Sequence, residues 1–249
     1  SLERESNDRP FELPEYQDSL VSRVLAANPN TAVLVNAGGN VDMRRWQDAA
    51  PALLYLWYPG QEGGTAAAEI LFGKTNPSGK LPVTFEKRWE DNPAYPYYYD
   101  PDGDKRVAYG EGLLVGYRHY DTKGVKPNFP FGYGLSYTTF DYSGLRVKDK
   151  TEKGEILYRV TFDVANTGAA DGMEAAQLYV RPINPKVFRP YKELKGYDKQ
   201  MIKAGEKARY EILLDEEAFS YYDPAAGRFV ADPGKYEILV GPSSASTPL

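Results

Sequence analysis

APALLYLWYPGQEGGTAAAEILFGKTNPSGKLPVTF, residues Ala50 to Phe85, carries three local patterns in succession. Ala52 to Tyr58 is a continuous apolar run of strand length with no polar alternation. That is the pattern of a strand buried on both faces of a parallel sheet. Pro59-Gly60 breaks the run, and Gly63-Gly64 leaves the turn bare. From Thr65 the pattern is helical: Ala66, Ala67, Ile70 and Leu71 share one face, and Gly73 supplies a stop. Thr75-Asn76-Pro77-Ser78-Gly79 is turn chemistry, and Leu81 to Phe85 reads as a second short strand. Strand, helix and strand in this order predict a layered α/β domain, a mostly parallel sheet with flanking helices.

Toward the N-terminus, Thr31 to Val35 is another buried-strand run, followed by Asn36-Ala37-Gly38-Gly39-Asn40. A Gly-rich turn after a strand can cradle a phosphate. Neither Gly-x-Gly-x-x-Gly nor Gly-Lys-Ser/Thr is present, however, so the turn reads as an ordinary strand-to-helix connection. Such turns lie at the carboxyl ends of parallel strands, where ligands approach. Asn40 and Asp42 fall near that end and are not assigned as site residues. Met43 to Ala49 reads as a short helix. Pro14 suits a helix start, with Glu15 in the first turn. Leu20, Val21, Val24 and Leu25 then form a stripe that ends by Asn28-Pro29. Ser1 to Glu12 has no periodicity, and on charge alone it is a solvated loop laced with Glu3, Arg4, Glu5, Asp8, Arg9 and Glu12.

Toward the C-terminus, NPAYPYYYDPDGD (92–104) is too rich in Pro for a regular helix or a central strand and predicts an extended crossing. Tyr109 to Tyr120, YGEGLLVGYRHY, mixes apolar and aromatic residues. From Asp141 the pattern is all-β. Ile156 to Val164, Ala175 to Val180, Leu194 to Lys199, Ala208 to Leu214 and Tyr236 to Val240 are strand-like, with Asn166-Thr167-Gly168 a turn. The spacing predicts a sandwich of about seven strands. The expected division is an α/β part at residues 1–92, a crossing and linker at 93–140, and a β-sandwich at 141–249.

Composition narrows the chemistry. In 249 residues, Lys plus Arg is 30 against 35 Asp plus Glu, a net charge of −5. No basic patch accumulates, so nucleic acid is not an expected partner. No apolar run approaches the ~20 residues of a membrane span, so neither is a membrane. Cysteine is absent and histidine occurs once, at His119. Thiolate nucleophiles and Cys-ligated zinc are excluded, and a Ser-His-Asp triad lacks its Gly-x-Ser-x-Gly elbow. Carboxylate chemistry remains, with no metal or cofactor expected. The 21 tyrosines suit sugar-binding surfaces and β-sandwich cores equally.

Several of these stretches together resemble a known family. Trp57-x-x-Gly60-x-Glu62-Gly63-Gly64, the Ala-rich helix, NPSGKLPVTF (Asn76 to Phe85) and FPFGYGLSYTTF (Phe129 to Phe140) are similar to the second domain of glycoside hydrolase family 3. Those enzymes are retaining β-glucosidases, β-xylosidases and relatives. FDVANTGAADGMEAAQLYV, RPYKELKGYDK and KAGEKARYEI (162–180, 189–199 and 203–212) resemble that family's fibronectin type III-like module. Glu5-Ser6-Asn7-Asp8-Arg9 followed by Leu13-Pro14 matches a family loop whose Glu is the general acid/base. The resemblance therefore implies that role for Glu5, with Glu3 its rival, and a loop-organising role for Arg9 through a carboxylate. Ser6 departs from the Gly common after the Glu. Glu111 lies in a run similar to a family motif that places no proton transfer on it. His119 stands where an aromatic is usual and reads as a packed or partly exposed ring, with contact to the aglycone end of a substrate as the alternative.

The resemblance implies an exo-acting, retaining β-glucosidase whose nucleophilic Asp lies on a preceding (β/α)8 barrel. Ser1, with no initiator Met and in mid-motif, reads as the interior of a longer chain. Expected partners are β-linked glucosides or short oligosaccharides, the barrel of the same enzyme, and a second copy in a homodimer. Family analogy favours a secreted or periplasmic setting. The alternatives are a β-xylosidase of the same family and a non-catalytic sugar-binding or assembly module.

Overall fold

The structure, a computed structural model, describes residues 9–100, 103–152 and 155–249, and for 150–152, 155 and 156 the backbone alone. The chain divides into two compact units, Ser1–Thr75 with Phe85–Asn92, and Asn76–Thr84 with Pro93–Leu249.

In the first unit, α1 (Glu15–Ala27) follows Pro14, whose carbonyl accepts from the Gln17 and Asp18 amides. Glu15 and Asp18 in its first turn complement the helix dipole. Asp18 and Leu25 face inward, and buried Asp18 accepts a 3.0 Å hydrogen bond from the indole N–H of fully buried Trp46. Leu20 and Val24, the other half of the expected stripe, are exposed. β1 (Ala32–Val35) and β2 (Ala52–Tyr55) pair in parallel, Ala32 opposite Ala52 and Val35 opposite Tyr55. β1 alternates, with Val33 and Val35 buried and Leu34 exposed.

Three expectations need correction in this unit. β2 is not buried on both faces: Ala52 is exposed and Leu53 to Tyr55 are half-buried. The reason is that no third strand pairs with either strand among the described residues. Met43 to Ala49 is a turn closed by a 3-10 helix at Gln47–Ala49. α2 (Gly63–Leu71) begins two residues early and buries Gly63 and Ala67, leaving Ala66 and Leu71 exposed. The unit's interior is instead made by Val41, Met43, Trp46 and Phe85.

Leu81 to Phe85 is not a strand of the α/β layer. Residues 76–84 belong to the second unit, held by a specific set of bonds. The Leu81 amide donates to the Tyr133 carbonyl and the Gly132 amide to the Leu81 carbonyl, each at 2.8 Å. Pro82, with no N–H, cannot extend this pairing into a ladder. Asn76 Oδ1 accepts from Ser136 Oγ and the Tyr137 amide, while Asn76 Nδ2 donates to the Asp171 carbonyl. A Cβ at Gly134 would lie 2.1 Å from the Gly79 carbonyl oxygen, so only glycine lets these backbones meet. The NPSGKLP and FGYGLSY stretches are thus two sides of one joint.

The Pro/Tyr-rich segment contains one helical turn, α3 (Tyr95–Tyr98), with Pro96 tolerated at its start. A helix not expected from the sequence, α4 (Tyr117–Lys123), ends at left-handed Gly124. The sandwich follows, with two antiparallel three-stranded sheets. One is ordered β3 (Phe140–Glu152), β4 (Glu155–Asn166), β7 (Lys207–Leu214). In the other, β5 (Gly172–Ile183) lies between β6 (Glu193–Ile202) and β10 (Lys235–Gly241). A hairpin, β8 (Tyr221–Asp223) and β9 (Arg228–Val230), completes it. The alternation of β4 puts Val160, Phe162 and Val164 inside, fully buried against Leu178, Tyr210 and Val240. Asn166 at the expected turn is itself buried, and its amide donates to the Ala170 and Ile202 carbonyls.

Two buried charges fasten other segments of this unit to the sandwich. Lys80 lies 3.1 Å from buried Glu174, which also accepts from the Tyr142 hydroxyl at 2.7 Å. Lys192 donates to the Ser244 carbonyl and pairs with Asp121 of α4 at 3.5 Å. No described helix is long and apolar enough to cross a membrane.

Candidate active site

Glu5 and Glu3 lie outside the described residues. The structure does describe the point where their loop is fastened. Arg9 Nη1 donates to the Pro10 carbonyl at 2.8 Å and Arg9 Nη2 to the Asn40 carbonyl at 2.5 Å. Two residues on, the Phe11 carbonyl accepts from the Asp42 amide at 2.9 Å. The loop is therefore latched twice to the turn that follows β1. The contacts described for Arg9 are with carbonyls, and its expected carboxylate partner is not among them.

The turn is held from behind at Gly39, Asn40 and Asp42. The Tyr55 hydroxyl of β2 donates to the Gly39 carbonyl. Asn40 Nδ2 donates to the backbone carbonyl of Glu86 at 2.9 Å and to Glu86 Oε2 at 3.1 Å. Asn92 Nδ2 donates to Glu86 Oε1 at 3.2 Å. Glu86 is buried, and these amides give both carboxylate oxygens a donor, which is what burial of a carboxylate requires. With its amide hydrogens directed at Glu86, Asn40 leaves Oδ1 buried and without a donor among the described residues. An unmet buried acceptor costs on the order of 1–3 kcal/mol. Asp42 is fixed by Arg44, which reaches it from Nε at 2.9 Å and from Nη2 at 2.5 Å. Those hydrogen bonds hold the Asp42 carboxyl below the usual carboxylate range, outweighing its partial burial.

Aromatic rings floor this end of the sheet. Tyr55 meets Trp57 and Phe85 edge-on, at 5.1 and 5.0 Å between centroids. Trp57 has φ +55°, a conformation that costs a bulky residue on the order of 1–3 kcal/mol and persists only where packing over-determines it. Gly38 leaves room for the exposed Tyr58 ring, which a Cβ there would displace, since it would sit 2.3 Å from the hydroxyl oxygen.

His119 and Glu111 lie in the second unit. His119 is half-buried on α4, its ring edge-on to Tyr120 at 5.4 Å. Burial, with the charge of Lys123, pushes it below its ordinary pKa. The Glu111 carbonyl accepts from the Leu114 amide in a local turn. Among the described residues no three His, Asp or Glu side chains converge as metal ligands. Neither Glu86 nor its partners were singled out by the sequence. Asn40 was placed near the cleft only by its position after β1, and Glu86 sits in KLPVTFEK with no local signal of burial.

Comparison with known proteins gives the class. Residues 1–137 match the glycosyl hydrolase family 3 C-terminal domain, and residues 174–244 the fibronectin type III-like domain. The chain therefore belongs to glycosyl hydrolase family 3, an α/β layered domain followed by a fibronectin type III-like sandwich. It is 43% identical over 96% of its length to a probable beta-glucosidase I of Aspergillus niger. Its fold superposes on a family 3 beta-glucosidase of Bifidobacterium adolescentis with TM-score 0.92, at 38% identity over 99% of this chain and 36% of that one. A glucose-bound beta-glucosidase of Kluyveromyces marxianus superposes with TM-score 0.88, at 39% identity over 95% of this chain and 28% of that one. The chain spans about 30% of the length of the curated relatives it matches.

Proposed function

We propose that this chain is part of a retaining, exo-acting β-glucosidase and supplies its general acid/base carboxylate, Glu5. The nucleophile would stand on an N-terminal (β/α)8 barrel, and the substrates would be β-linked glucosides or short oligosaccharides. The observation that carries this reading is the likeness, across nearly the whole chain, to proteins named as beta-glucosidases. It also favours the glucosidase over the xylosidase alternative.

The chemistry needs two carboxyl groups about 5 Å apart across the scissile bond. One attacks the anomeric carbon. The other gives its proton to the leaving oxygen and later takes one from water, so it must be protonated when substrate arrives. A carboxyl on a loop of the α/β part, opposite a barrel nucleophile, can serve as that second group. In this reading residues 1–92 carry the acid/base loop, 93–140 form the crossing and linker, and 141–249 the supporting sandwich. His119, partly exposed, is the proposed contact for the aglycone.

The test is Glu5→Ala in the complete enzyme with an activated aryl β-glucoside. The glycosyl-enzyme should form and stall, with turnover down about 10²- to 10⁴-fold, and azide should restore it as glycosyl azide. Near-normal turnover without azide would remove Glu5 from the chemistry and move the test to Glu3.

A further inference from the structure

We propose that Glu86, acting through Asn40, is a positioning residue for the acid/base carboxylate. The inference rests on the reading of Glu5 given above. It adds a connected set of groups: Asn92 and Asn40 on the two oxygens of Glu86, Asn40's carbonyl on Arg9, and Arg9 in the loop of Glu5.

Three features give the set this role. Glu86 is buried and both its oxygens face amide donors, so it is a rigid anchor. The bond to Asn40 is double, to backbone carbonyl and carboxylate of the same residue, which fixes the amide plane and the peptide that follows. Arg9 stands four residues from Glu5, and four residues of chain reach at most about 14 Å. Arg9 is pinned to the Asn40 carbonyl and Phe11 to the Asp42 amide, so the described end of the loop that carries Glu5 in this reading is fixed. A displacement of about 1 Å at a catalytic group can cost on the order of 100-fold, so a shift of that size passed from Asn40 through Arg9 would be read in the rate.

A purely structural role for Glu86 would change how much enzyme is folded, and so would lower all rates alike. Misplacement of the acid/base has a different signature. It penalises poor leaving groups, which need the proton, and spares good ones, which do not. The experiment compares kcat/KM for an alkyl β-glucoside and 2,4-dinitrophenyl β-glucoside in the complete enzyme, for wild type, Glu5→Ala, Glu86→Gln and Asn40→Ala. The ratio of the two rates is independent of the folded fraction.

Glu5→Ala should lower the alkyl rate far more than the dinitrophenyl rate. Glu86→Gln and Asn40→Ala should do so in the same sense, by at least about 10-fold in the ratio. Asn40→Ala keeps the Glu86 carboxylate and its bond from Asn92, losing only the donor on Oε2 and the Glu86 carbonyl, and serves if Glu86→Gln does not fold. If Glu5→Ala shows the effect and both other variants keep the wild-type ratio, the positioning role is wrong and the acid/base reading stands. If Glu5→Ala itself keeps the wild-type ratio, both fall.

Discussion

The two units close their interiors in different ways. In the sandwich, β4, β5 and β7 bury Val160, Phe162, Leu178 and Tyr210 completely, and stacked Tyr142, Phe162 and Tyr210 run through the middle. In the α/β unit the two strands are half-covered, and Tyr16, Leu20 and Val24 of α1 are exposed along one helix face. The sandwich obtains its stability from packing. The α/β unit has a smaller apolar interior, and polar ties supplement it: Asp18 to Trp46, Asp42 to Arg44, Glu86 to Asn40 and Asn92. Packing resists change roughly in proportion to buried area, whereas polar ties depend on protonation and on keeping both partners. All three tryptophans, Trp46, Trp57 and Trp89, lie in the α/β unit, so indole fluorescence reports that unit alone.

The largest expected effect is in the sandwich core. Phe162→Ala should destabilise it by about 3–5 kcal/mol, whereas Val33→Ala in β1 removes two methyl equivalents and should cost about 1.5 kcal/mol. Melting followed by far-ultraviolet circular dichroism should shift for Phe162→Ala with the fluorescence transition moved less. Equal shifts in both signals would mean the units do not unfold separately.

Next is the buried Lys80–Glu174 pair. Lys80→Ala leaves the Glu174 carboxylate with only the Tyr142 hydroxyl among its described partners. A broken buried pair costs about 3–5 kcal/mol, and the lower end applies because Lys80 keeps some solvent contact. Urea denaturation should show it. A change under 1 kcal/mol would show that the Asn76 side chain and the backbone contacts hold the joint without the ion pair.

Acid should separate the units further. Asp42 and Asp91 are held below their ordinary pKa of 3.8, chiefly by hydrogen bonds from Arg44 and Arg88. Folded values below unfolded ones give stability that is present above the unfolded pKa and lost as pH falls through the folded value. Asp121, in the sandwich unit, is raised by burial, with Lys192 opposing. Its contribution has the opposite sign: proton uptake as pH falls through its folded pKa relieves a buried charge. Below about pH 4 the fluorescence transition should move down in temperature faster than the circular dichroism one. The reverse order would contradict both assignments.

The smallest effect is a single titration. His119 is the only histidine, so its ring proton signals in nuclear magnetic resonance are unambiguous. Their midpoint should lie below 6.5, and a midpoint above it would mean a carboxylate faces the ring.

Much of the fold was legible because local chemistry announces it. Pro14 opens α1, Gly73 stands where α2 ends, and the alternation of Val160, Phe162 and Val164 is the burial pattern of β4. What failed to show has physical causes. Leu81 to Phe85 has strand composition, but composition cannot say which unit a segment joins; that was decided by Asn76, Lys80 and the close approach at Gly134. The apolar run of β2 expresses a demand for cover that the described residues do not meet.

The site divides the same way. The sequence alone narrowed the expected chemistry to carboxylates, because it holds one histidine and no cysteine, and the role proposed for Glu5 rests on the resemblance of its loop. Only the tertiary structure brought Glu86 under Asn40 and Asn40 under Arg9, across 46 and 31 residues. Bonds of that span leave no periodic or spacing signal. They exist because a buried carboxylate must find donors wherever the folded chain supplies them.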